Sequence, residues 1–163
     1  MNDQFNGSTS ELRGGQSQEI VALLNRLIQA CFDAQEGFGH AAQLVQDFEL
    51  RALFNDAAQL RSVMAEDLVS LVRGLDGDPI AAGAAVGNLR RGWMALKMTF
   101  AEQPDVAVLA DCRRGEESTV EIFRQVLEES LPPEANALVR RQFSVVVATC
   151  ERLKSLEKAL STE

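Results

Sequence analysis

From Ile20 the apolar positions Ile20, Leu24, Leu27, Cys31, Ala34, Phe38, Ala41 and Val45 alternate steps of four and three. That spacing is a sustained helical stripe. A second stripe follows at Leu50, Leu53, Ala57, Leu60, Met64, Leu68 and Leu71, after the short break "QDFE". So short a break predicts two antiparallel neighbouring helices. "GLDGDP" at 74–79 closes the pair with Gly and Pro. Val86, Leu89, Trp93, Leu96 and Phe100 predict a shorter helix over 84–100. A further helix is predicted from about Asp105 to Glu129, with Leu109, Cys112, Val120, Phe123 and Leu127 in line. "SLPPE" breaks it, and Pro132 and Pro133 can open the last helix, which runs to about Ala159 through Leu138, Val145, Val146, Leu153 and Leu156. Residues 1–16, "MNDQFNGSTSELRGGQ", are polar, Gly-rich and aperiodic. They are expected to form a flexible tail, with Ser17 as N-cap and 17–160 as the folded domain.

Two markers repeat. "CFDAQEGF" begins at Cys31 and "CRRGEEST" at Cys112, an interval of 81 residues, each on the first helix of a pair. "ELRALF" at Glu49 and "EANALV" at Glu134 begin the partner helices, an interval of 85, with the longer "SLPPE" loop absorbing the slip. The expected fold is therefore all-α: two αα-hairpin repeats joined by a crossover that holds a short fifth helix. That is the connectivity of a ferritin-like four-helix bundle.

At about 100° per residue, the polar side chains that share an azimuth with the apolar stripes can be picked out. Glu116 lies on the centreline of its helix, among Leu109, Cys112, Val120, Phe123 and Leu127. Gln35 holds the equivalent place in the first copy, while the more conspicuous Glu36 turns to the polar side with His40. Arg61 falls with Phe54, Ala57, Met64 and Leu68, and Gln142 and Thr149 fall within the last stripe. Gln35, Arg61, Glu116 and Gln142 are therefore expected to form a polar layer across the middle of the bundle. A carboxylate placed there needs a partner or a proton. The expected partner of Glu116 is Arg61, whose guanidinium donates in a fork that suits a carboxylate.

The same layer is where a ferritin-like bundle would hold two metal ions. Such a site takes a Glu from each of two helices and Glu-x-x-His from each of the other two. This chain has one His, at position 40 with no Glu three residues before it, and neither partner helix carries Glu-x-x-His. Glu116, Gln35 and Gln142 are the metal-ligand candidates, and Arg61 adds a positive charge among them. The expectation is a metal-free layer and no cofactor.

Net charge is −8, which argues against a broad nucleic-acid surface. No run approaches the ~18 apolar residues of a membrane span. Three cysteines, widely spaced and without CxxC, fit reduced thiols and a cytoplasmic setting. Cys31 and Cys112 lie in apolar stripes, where a thiol behaves as a small hydrophobe; they are also the candidates for a redox role. Trp93 is either the anchor of the crossover helix or an interface residue.

"QEGF", "RRGWMALK", "CRRGEE" and "LPPE" together resemble an uncharacterised bacterial family of ferritin-like four-helix-bundle proteins over about Ser17 to Ala159. The resemblance implies the fold, a domain of unknown function and an association with stress responses. It supplies no catalytic residues, and Gln35 stands where such a family usually has an acidic residue. The first expectation is thus a non-enzymatic cytosolic bundle that self-associates or binds a protein partner. The rivals are a metal-dependent oxidase or iron-handling protein, and a thiol sensor using Cys31 or Cys112.

Overall fold

The computed structural model describes residues 5–82 and 104–161. They form four helices, α1 (Phe5–Leu44), α2 (Phe48–Gly74), α3 (Pro104–Glu128) and α4 (Pro133–Leu160). The expected short helix over 84–100, Trp93 included, lies outside the described residues.

α1 starts at Phe5, well ahead of the N-cap expected at Ser17. Residues 14 to 19 are exposed, and Ile20 is the first covered side chain after them. Once nucleated, a helix gains one backbone bond for each residue added, so a polar segment can continue it without burial. The helix therefore runs on through the exposed residues 14 to 19, ahead of the start of the apolar stripe.

The α1–α2 turn is short because Asp47 caps α2, its side chain accepting from the Leu50 amide at 2.8 Å. Asp105, in the first turn of α3, accepts from the amides of Gln46 at 2.8 Å and Asp47 at 2.9 Å. One carboxylate thus fastens the first hairpin to the start of the second. At the opposite end, Asn25 of α1 donates to the Asp78 carbonyl and accepts from the Ile80 amide, both at 3.0 Å. Asp76 takes φ 55° there, a left-handed conformation that Asp tolerates. A Cβ on Gly77 would overlap the Val21 methyl carbons, so only Gly lets the loop lie this close to α1. Pro133 occupies the first turn of α4, where its missing N–H costs nothing.

These contacts define the topology. α2 ends beside Asn25, whereas α3 begins beside the α1–α2 turn, at the other end of the bundle. The chain between them must cross from end to end, the long-crossover connectivity of the predicted bundle. α1 packs on both α2 and α3, α3 packs on α4, and α2 and α4 meet only sparsely.

The core is divided. One cluster, at the Asn25 end, is built from Leu24, Leu27, Ile28, Met64, Leu68, Phe123, Val139 and Val146. The other, at the Asp105 end, is built from Phe38, Val45, Phe54, Leu109 and Leu153. Phe38 and Phe54 stack there with ring centroids 6.1 Å apart. Each cluster draws on all four helices.

Candidate functional site

Between the two clusters lie the buried charges. Arg61 and Glu116 are each only 1% exposed. Arg61 reaches the middle of the bundle because α2 carries it one turn before Met64, on its inward side. Glu116 enters from α3 one turn after Cys112. The guanidinium donates through Nη2 to Glu116 Oε1. Its Nη1 lies 3.0 Å from Met64 Sδ. Its Nε and the Oε1 of Gln142 have no hydrogen-bond partner among the described residues. Burial pushes the Glu116 carboxyl up to about 7, and the charge and hydrogen bond of Arg61 work against that rise. The two effects oppose because desolvation penalises the anion while the cation beside it favours the anion.

The structure brings together two of the four residues expected in this layer. Gln142 is buried but sits one turn toward the Asn25 end, between Val139 and Val146, with its Nε2 donating to the Met64 carbonyl at 3.0 Å. Gln35 is only half-buried and makes no hydrogen bond to the pair. Its neighbours in azimuth, Leu24, Ile28 and Ala42, are nonetheless buried, so direction alone does not decide how far a residue of α1 is covered. On α4, Thr149 is half-buried and bonded to the Val145 carbonyl at 3.0 Å, and Cys150 is buried within reach of the Glu116 charge. Thr119, buried on α3 and bonded to the Gly115 carbonyl at 3.1 Å, is a polar core residue the stripes did not single out. Glu36 and His40 are half-buried.

Glu116 also lines a groove of about 300 Å³ between α1 and α3. Small residues line it, Ala30, Ala34 and Gly37 on α1 against Gly115 and Ser118 on α3, and leave it unfilled. The other carboxylates on its wall are engaged locally, Asp33 by Gln29 at 2.7 Å and Asp111 by Arg114 at 2.9 Å.

All three thiols are free and buried. Burial pushes Cys31 up to about 12, with Arg61 opposing and Glu116 reinforcing. Cys112 is driven further in the same direction by burial, Asp111 and Glu116. Burial also raises Cys150, against the charge of Lys154. Thiolate is the reactive form, so these are poor nucleophiles.

The donor set does not fit a two-metal carboxylate centre. Glu116 is the one buried carboxylate among the described residues, and the buried Arg61 guanidinium already holds it. Among the described residues no three His, Cys, Asp or Glu side chains are placed to hold one metal ion.

Solved structures with this helix arrangement confirm the class. A Dps1 variant from Mycobacterium smegmatis aligns with a TM-score of 0.72 at 13% identity, over 88% of this chain and 97% of its own. A ferritin-like, diiron-carboxylate protein from Bacillus anthracis str. Ames aligns with a TM-score of 0.69 at 18% identity, over 86% and 96%. A protein from Anabaena variabilis with DJ-1/ThiJ/PfpI-like and ferritin-like domains aligns with a TM-score of 0.71 at 16% identity. That match covers 90% of this chain, which spans only 38% of the two-domain protein. Identities this low establish the fold alone, and the fold is the ferritin-like four-helix bundle. No curated protein matches the sequence. Within that class the chain belongs to the family described as a domain of unknown function (DUF2383), whose model matches residues 19–129.

Proposed function

We propose that this protein is a non-enzymatic ferritin-like bundle whose mid-bundle metal layer has been replaced by an internal ion pair. It works by association, with itself or with a protein partner, in the bacterial cytoplasm and in the setting of a stress response. The observation that carries the reading is Arg61, whose buried guanidinium sits on the carboxylate that a metal would otherwise need. A fixed cation there supplies the charge compensation of an ion but offers no open coordination position and no redox chemistry. Its physical consequence is helix register, since a buried pair tolerates few alternative alignments of α2 against α3. The cytoplasmic setting is supported by three thiols that are buried and unpaired.

A second reading, a metal-dependent oxidase or iron-handling protein, draws on the likeness to the diiron-carboxylate protein from Bacillus anthracis str. Ames. Elemental analysis of untagged protein from iron- and manganese-supplemented cells separates the two. Substoichiometric metal is expected; one or more tightly held equivalents per chain would establish the second reading instead. The thiol-sensor reading is disfavoured by the raised thiol pKa values.

A further inference from the structure

The side that α2 and α4 share has features the buried pair does not use. Because the two helices meet sparsely, a groove of about 640 Å³ opens between them, with Phe54 and Leu153 in its floor. Phe48 at 78%, Leu60 at 40% and Val63 at 44% are the exposed large apolar residues among those described, and all three belong to α2. At about 100° per residue they fall on one side of α2, together with Asp56 and Asp67. α4 faces the groove with Val145, Ala148 and Arg152, and Arg141 lies on the same side eleven residues before Arg152. Asp56 and Asp67 are also eleven apart, and an eleven-residue step returns a helix close to its starting azimuth.

α2 and α4 run antiparallel, so Asp56 stands at the level of Arg152 and Asp67 at the level of Arg141. The Gln142 bond to the Met64 carbonyl shows the register directly. All four charges are exposed, and none joins an ion pair among the described residues. Within one chain the groove separates them. One helix thus offers an acidic and apolar edge, and its neighbour offers the matching basic edge at the same heights.

We propose that this face is a homodimer interface. The two-fold axis runs along the groove and lays α2 of each copy over α4 of the other. Asp56 then meets Arg152 of the partner subunit, Asp67 meets Arg141 of the partner subunit, and Phe48 of each copy packs over the other's groove. A patch that is complementary to itself under a two-fold rotation is what an isologous dimer requires. The proposal rests on the association part of the functional reading and is independent of the metal-free layer, so metal analysis and the experiment below fail separately.

The test is sedimentation equilibrium of the full chain and three charge variants. Wild type is expected to dimerise. Asp56→Arg with Asp67→Arg, and separately Arg141→Glu with Arg152→Glu, are each expected to weaken self-association at least ~100-fold through like-charge contacts. Mixing those two variants is expected to restore a heterodimer, because each acidic edge then faces a basic one. Far-UV circular dichroism of the separate variants, with the helix content of wild type, checks that they are folded. A monomeric wild type, reversed variants that dimerise as well as wild type, or an unrescued mixture would each overturn the proposal.

Discussion

Arg61→Met tests the ion pair most sharply when its cost is followed against pH. Between the ordinary value of 4.5 and about 7, folded Glu116 holds a proton that the unfolded chain has released. Stability from this group is therefore fully present below 4.5 and falls as pH rises toward 7, by about 1.4 kcal/mol per pH unit. Arg61 is the charge that limits the rise in Glu116's pKa. Without it the carboxyl stays protonated to higher pH in the folded state, and the fall continues beyond neutrality. Below neutrality the wild type and Arg61→Met should thus run parallel. Above about pH 7 the variant should go on losing stability while wild type levels off. Glu116→Gln should do the opposite, gaining on wild type by ~3 kcal/mol from about pH 5 to 7 and then running level. Urea unfolding at half-unit pH steps, followed by circular dichroism, reads all three curves. A penalty for Arg61→Met that does not change across neutral pH would refute the coupling between the two side chains.

Glu116→Ala leaves an arginine that cannot give up its proton, and should cost ~3 kcal/mol or more in urea unfolding at neutral pH, whereas Glu116→Gln should be tolerated or mildly destabilising. Asp105→Ala removes the acceptor for the Gln46 and Asp47 amides, and a loss of ~1–2 kcal/mol is expected by thermal melting. Asn25→Ala frees the loop held at Asp78 and Ile80, with a similar cost and faster amide exchange at Ile80. Alkylation of the native protein should leave Cys31 and Cys112 unmodified until the bundle unfolds, and mass spectrometry after mild peroxide should find them unchanged; rapid oxidation of either thiol would revive the sensor reading.

The helical stripes made the bundle legible because each helix buries one face, and the loop residues Asp47, Gly77 and Pro133 mark its turns. The Arg61–Glu116 pair was also legible, since both residues lie near the centreline of an apolar face. Gln35 shares the azimuth of buried Leu24, Ile28 and Ala42 yet is itself only half-buried, because a stripe specifies direction and not how closely a neighbouring helix packs at that height. Gln142 was assigned to the correct face but one turn too near the pair, because azimuth specifies direction and not height. The extension of α1 to Phe5 could not be read from burial periodicity, as residues 14 to 19 are helical and exposed. Asp105 gave no signal either. Its partners are amides on a turn distant in sequence, and they become neighbours only once the crossover brings α3 to that end.

The most direct measurement of the central claim is the carbon-13 resonance of the Glu116 side-chain carboxyl, assigned through its loss in Glu116→Gln. With Arg61 in place of a metal, the resonance should titrate near 7 and keep its position and width when stoichiometric Mn²⁺ is added. Selective broadening of that resonance by the ion would show that the layer binds metal and contradict the account.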